Sequence, residues 1–477
     1  MESLMPLTAT GQPLSLHDVG VSDAPLIVYI DFKSPYAFLA IEPTRQMLKK
    51  LGLLADWRPF VLDIGSYLGT AKLANDGKVA SQSRSKEQWS GVKYAYFDCR
   101  RYANLTDLTI RGTVKIWNTN LPAIGMWWIK LHEDLSTQNQ SDGLLQRYLD
   151  AIYLPFWRRE FDAEDLGAVL NILVQIGAPT QGFKAFAEGE GSVFNDAVQE
   201  RTFNAGVYGV PTYLLPEHPD AAGHASQFFG REHLSRIAWM LTGKAGNAPD
   251  VAYELACDVD SAALEKSASE PGVVQGQVGL PIYFDFKSPN SYLALAGLLA
   301  ARDDGITLQW HPFDHKPLKK PAQQNIEEDR SARHRRIRGE YIAAELQRYA
   351  PHPLRDPYLA TDCDVANMGL LWLQEQAPTR VDDYVESVFL ALWRDHANIE
   401  SPQVIAELLD AALGEIVFDM DDWATHVRGA GVQAVEQAYA RAGQQGVSFA
   451  PTFYLGTEPF QGRAQLPLIL ARLRAGI

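Results

Sequence analysis

Two short stretches of this sequence can do chemistry on an anion. Tyr29-Ile30-Asp31-Phe32-Lys33-Ser34-Pro35 and Tyr283-Phe284-Asp285-Phe286-Lys287-Ser288-Pro289 each run an apolar strand straight into Ser-Pro. Serine followed by proline opens a helix: the serine caps it, and proline is tolerated at the first helical position. Free N–H groups at such a start, with the helix dipole, favour an anion by roughly 0.3–2 kcal/mol. A serine hydroxyl adds a charge-assisted hydrogen bond, and Lys33 or Lys287 adds positive potential. One pKa unit is about 1.4 kcal/mol, so these groups together are expected to favour the ionised form of an acidic group bound there. The bland readings stand beside this one. The serines are also ordinary N-caps, and the lysines are also solvated strand-end residues.

The elements that must position these residues occur twice. Phe38, Leu39, Ile41, Met47 and Leu48 recur close to a 3.6-residue period, which predicts a helix from Pro35. Trp57-Arg58-Pro59-Phe60 then marks a second strand. Their counterparts are a helix from Pro289 through Leu293, Leu295 and Leu298, and Trp310-His311-Pro312-Phe313. A mostly helical middle follows in each copy. Tyr94 to Tyr102 lines up with Tyr341 to Tyr349, Trp128 with Trp372, and Tyr148 and Trp157-Arg158 with Tyr384 and Trp393-Arg394. Core packing is the first reading of these aromatics. Gly206-Val207-Tyr208-Gly209-Val210-Pro211-Thr212 matches Gly446-Val447-Ser448-Phe449-Ala450-Pro451-Thr452. Phe229-Gly230-Arg231 matches Gln461-Gly462-Arg463, and both precede a last helix. The expected organisation is an arm over 1–24, a first domain over 25–243, a linker over 244–279 and a second domain over 280–477. The linker is rich in Gly, Ala, Ser and Pro, with a short helix expected around Ala262 to Lys266.

Composition bounds the function. At 477 residues with 46% hydrophobic content, the chain is long enough for two substantial cores. A formal charge of −15 disfavours nucleic acid or an anionic membrane as partner. The three cysteines, Cys99, Cys257 and Cys363, form no C-x-x-C pair, no disulfide framework and no zinc spacing. No metal is expected, and His311, His315 and His334 read as surface residues. No signal-like or bilayer-length apolar segment stands out, which predicts a soluble cytoplasmic protein.

The order and spacing of these motifs resemble the DsbA-like branch of the thioredoxin superfamily. Within it they resemble the 2-hydroxychromene-2-carboxylate isomerases and kappa-class glutathione transferases. The resemblance rests on Asp31-Phe32-Lys33-Ser34-Pro35-Tyr36, on Gly206 to Thr212 and on Phe229-Gly230-Arg231, with their second copies. It implies an α/β fold of two tandem thioredoxin-like domains, each with a helical insertion. Dithiol oxidoreductases of that fold begin the helix with C-x-x-C. Here Ser34-Pro35-Tyr36-Ala37 and Ser288-Pro289-Asn290-Ser291 stand there, so disulfide exchange at these positions is excluded.

The resemblance further implies that glutathione is the cofactor. Ser34 or Ser288 would stabilise its thiolate, with Lys33, Tyr36 and Lys287 nearby. Val210 before a cis Pro211, or Ala450 before a cis Pro451, would offer its backbone to the cysteinyl part. Gly230 and Arg231, or Arg463, would approach the tripeptide. The substrate would be a small conjugated or aromatic molecule. Familiar members pair as homodimers, so the two copies would pair within one chain, with further homo-oligomers left open. The alternative is a non-catalytic thioredoxin-fold binding protein. Tyr36 and Gly209-Val210 make the first copy the better expected site, since Asn290 and Phe449-Ala450 replace them in the second.

Overall fold

Every residue of β1 (Leu26–Ile30), Leu-Ile-Val-Tyr-Ile, is buried. A strand with no solvated face belongs inside a sheet covered on both sides. The computed structural model describes residues 19–73, 79–220, 222–255, 259–268, 279–325 and 327–477. In it, β1 pairs parallel with β2 (Ala55–Pro59). A two-stranded hairpin, β3 (Ala71–Leu73) and β4 (Val79–Gln82), follows. β5 (Thr212–Pro219) lies antiparallel to β1, and β6 (Ala225–Phe229) completes a sheet of order β2-β1-β5-β6. The expected arm and linker fall partly outside the described residues; the helix within the linker spans Ser261–Ser267.

The helix Pro35–Leu51 crosses over between the two parallel strands. Ser34 caps it from an extended backbone, accepting the Ala37 N–H at 3.2 Å. It stops at Gly52, whose φ of 66° suits a residue without Cβ. Between β2 and β5 lies the helical insertion, including Lys86–Leu105, Asn120–His132, Leu144–Trp157 and Glu190–Asn204. Its aromatics do pack the core: Tyr148, Tyr153 and Trp157 are fully buried. The Tyr148 hydroxyl donates to the Pro122 carbonyl at 2.9 Å, passing so close to Gly125 that a Cβ there would strike it.

The second half repeats the plan. β7 (Leu280–Phe284) pairs parallel with β8 (Leu308–Pro312) and antiparallel with β9 (Thr452–Leu455). β10 (Glu458–Gln461) closes a sheet of order β10-β9-β7-β8, the same sequence of neighbours and directions. Tyr384 repeats the Tyr148 bond, donating to Ala366 at 2.8 Å beside Gly369.

The chain divides into two compact units, Met1–Val251 with Asn325–Ile337, and Ala252–Gln324 with Arg338–Ile477. Each unit is thus discontinuous in sequence. Among the described residues, no helix is long and apolar enough to cross a membrane.

Candidate active site

At the end of β1, the buried Asp31 carboxylate organises the turn into the helix. It accepts the Thr119 hydroxyl at 2.6 Å, the Leu62 N–H at 2.7 Å and the Lys33 N–H at 3.3 Å. The Lys33 ammonium stands 3.4 Å from it. The Tyr153 hydroxyl and the Ser34 N–H both donate to the Asp31 carbonyl. These bonds tie the strand end to the segment after β2 and to the N-cap of the helix Asn120–His132.

Ser34 faces the cis-proline loop. Its hydroxyl donates to the Val210 carbonyl at 3.4 Å, a long and therefore weak bond that an anion can displace. The Val210–Pro211 bond is cis, as the resemblance implies. The Gly230 N–H donates to the Pro211 carbonyl at 2.9 Å, and its φ of 110° needs glycine. Lys33, Ser34, Val210, Pro211 and Gly230 are thereby brought together. Tyr36 and Arg231 instead turn to the helix Lys86–Leu105. The Tyr36 hydroxyl donates to Asp98 at 3.2 Å, and the buried Arg231 guanidinium lies 4.5 Å from the centre of the Tyr102 ring.

The second copy keeps the skeleton and changes the charge. Ser288 accepts the Ser291 N–H at 3.3 Å and donates to Ala450 at 3.3 Å, before a cis Pro451. The Gly462 N–H again reaches the Pro451 carbonyl at 2.9 Å, and Arg463 again lies over a tyrosine, Tyr349, at 5.3 Å. The repetition of this arginine–tyrosine pair in both units favours a packing role for the arginines. Lys287, however, is bound by two carboxylates, Asp285 and Asp314, each at 2.7 Å. Burial alone would lower its pKa, but these carboxylates outweigh burial and hold it well above the ordinary lysine range. A cavity of about 330 Å³ beside it is lined by Asp314, Asp362 and Asp364 as well as Lys287. Such surroundings oppose a second anion.

Several residues escaped the sequence reading. Asp31 and Asp285 carry the turn in both copies, and the signal was available: each is a carboxylate repeated at the end of an apolar strand. Cys363 occupies the N-cap position of the helix Asp364–Gln376, as Thr119 does in its counterpart, and it lines the same cavity as Lys287, so a thiol does lie near the second helix start. Burial, then the Asp285 charge, pushes that thiol well up, so it stays protonated and poorly nucleophilic. His311 is exposed and His315 half-buried, but His334 is not a surface residue. It is only 7% exposed, because its segment packs within the first unit.

A cleft of about 820 Å³ in the first unit contains none of the expected site residues. Its floor holds Asp56, bonded to Arg58 at 2.6 Å and Lys130 at 2.7 Å. Arg58 also donates to the Val21 carbonyl at 2.6 Å, and Tyr29 to Val19 at 3.2 Å. This network pins the chain entering β1.

Residues 280–474 match the family model described as a DSBA-like thioredoxin domain, and that stretch is such a domain in a mixed α/β chain. Solved structures similar to the chain include a 2-hydroxychromene-2-carboxylate isomerase, at 26% identity and TM-score 0.32, over 41% of this chain and 97% of that one. The cytosolic disulfide reductase DsbM from Pseudomonas aeruginosa, solved with GSH, is similar at 15% identity and TM-score 0.30, over 41% and 97%. A putative protein disulfide isomerase from Nitrosomonas europaea is similar at 12% identity and TM-score 0.30, over 41% and 98%. A search of curated proteins finds no match.

Proposed function

We propose that the first unit is a second copy of the DsbA-like domain, and that the chain is a cytoplasmic glutathione-dependent isomerase or transferase. The observation that carries this reading is the Ser34 helix start facing the Val210 carbonyl across 3.4 Å, with no cysteine at the helix start. A thiolate from glutathione would take the place of the Val210 carbonyl as acceptor of the Ser34 hydroxyl. The N–H groups of the first helical turn would add their partial positive charge.

Burial decides how strong these donors must be. Lys33, Ser34 and Val210 are each more than nine-tenths buried, so a sulfur reaching Ser34 leaves water behind. Desolvation raises a thiol pKa, as does the Asp31 carboxylate paired with Lys33; the hydroxyl, the amides and the remaining Lys33 charge lower it. The ionised sulfur would then add to an electrophilic carbon of a conjugated substrate. In an isomerisation, the new C–S bond forms, a bond in the adduct rotates, and elimination breaks C–S and returns glutathione unchanged. In a transfer, the adduct itself is the product.

The second copy supports a different role. With Lys287 neutralised by two carboxylates and Cys363 protonated, it reads as a diverged site or a scaffold. Neither unit presents the cysteine pair of a dithiol oxidoreductase at its helix start.

Calorimetric titration with glutathione and with S-methylglutathione tests the proposal. Glutathione should bind more tightly, and its binding should release a proton because a thiol ionises. Equal affinities for the two ligands, or no heat with glutathione, would remove the reading and leave a binding protein of another specificity.

A further inference from the structure

Residues Asn325–Ile337 follow β8 in sequence yet belong to the first unit. Their docking is specific. Arg330 bonds Glu200 at 2.9 Å and Asp63 at 3.3 Å while lying 4.2 Å over the Phe203 ring. Arg333 donates to Asn204. Between these anchors and the end of the segment, His334 stacks flat on Tyr67, with ring centroids 3.9 Å apart and planes 6° from parallel. It also meets Tyr208, edge to face at 5.7 Å. His334 Nε2 lies 3.1 Å from the Tyr208 carbonyl, which only accepts, so Nε2 carries the proton.

Tyr208 stands two residues before Val210, the residue whose carbonyl meets Ser34. Its ring also packs at 4.9 Å on Phe229, the residue before the Gly230 that bonds Pro211. The cis-proline loop is therefore held from three directions: by Ser34, by the Phe229-Gly230 turn and by His334. Tyr67, in the short helix Ile64–Leu68 after β2, supplies the face on which the imidazole rests. One buried donor thus meets the Tyr208 carbonyl two residues before Val210, and its ring lies between that loop and Tyr67 of the segment after β2.

We infer that His334 is a positioning residue for the Ser34 site: it sets the cis-proline loop to receive a ligand at the helix start. The link to glutathione rests on the function proposed above; the link to the loop does not. Full-length His334→Phe keeps the stacking and removes the donor, whereas His334→Gln keeps a donor near the Nε2 position. Two readouts separate the claims, amide hydrogen exchange over residues 206–212 and the Kd for glutathione. The donor's loss should speed exchange in that segment and weaken glutathione about three- to tenfold, with Gln returning both towards the starting values. Unchanged exchange and unchanged Kd in His334→Phe would overturn the inference. So would a uniform rise in exchange across the first unit, which reports lost stability instead of a loosened loop. A wild-type protein that does not bind glutathione, yet shows the local change in exchange, would overturn the function and leave the positioning intact.

Discussion

Ser34 and Ser288 are a matched pair built into one chain, and alanine at each separates capping from the proposed ligand binding. Both hydroxyls accept an N–H of the first turn, at 3.2 and 3.3 Å, and both donate to the residue before a cis proline, at 3.4 and 3.3 Å. Losing an N-cap costs typically about 1 kcal/mol. In a unit of this size, that lowers Tm by roughly 2–4 °C. The two variants should therefore melt alike. Ligand binding should set them apart. A hydrogen bond to a charged group contributes about 1.5–3 kcal/mol, so Ser34→Ala should raise the pKa of bound glutathione by about one to two units. The ultraviolet absorbance of the thiolate, followed against pH, reads this directly, and calorimetry gives the matching tenfold or greater loss in affinity. Ser288→Ala should leave both unchanged, because the acidic residues around Lys287 disfavour an anion there. A Ser34→Ala protein that melts lower but titrates and binds like the parent would refute the argument. Its serine would then be a cap and nothing more.

Three further outcomes follow from geometry. Gly125→Ala should destabilise the first unit by about 1–3 kcal/mol, since the new Cβ meets the Tyr148 hydroxyl; adding Tyr148→Phe should recover part of the loss, as denaturant midpoints will show. Burial would raise the Asp56 pKa, but Lys130 and Arg58 overcome it and hold the carboxyl well below the usual range. A depressed folded-state pKa stabilises above the unfolded value of about 3.9 and loses that contribution as pH falls below it. Lys130→Met should flatten this acid limb in denaturation measured from pH 6 downwards to roughly 2. Cys99 and Cys363 are both buried with thiol pKa values pushed well up, so brief alkylation at mildly alkaline pH should leave both unlabelled by mass spectrometry. Rapid labelling of Cys363 would show that the second helix start exposes a usable thiol.

The parts of the molecule legible in its sequence are those fixed by neighbours along the chain. Ser34-Pro35 announces a cap, an apolar run announces β1, and the recurrence of both announces a repeated topology. The Asp31 carboxylate was visible but silent, since its partners Thr119 and Leu62 come from other segments. Lys287 looked equivalent to Lys33 until Asp314 closed on it. Arg231 looked like a ligand-binding side chain until the Tyr102 ring covered it. His334 was the least readable. Nothing in Ser331-Ala332-Arg333-His334-Arg335 says that an imidazole among arginines is buried, because its stacking partner lies in another part of the sequence. Side chains that act across long separations are specified by the fold, and local pattern does not encode them.

The discontinuity of the first unit bears on how the protein is made. Residues up to Val251 leave the ribosome well before Asn325–Ile337, and at about 5–20 residues per second the last of these trails by roughly 4–17 s. During that delay Tyr208 and Tyr67 lack their imidazole, and the loop that later faces Ser34 lacks that support. Protease should cut chains arrested before residue 325 within the segment 206–212, and should spare that segment in chains released at full length. Equal resistance in both would mean that the loop sets without its late-arriving clasp.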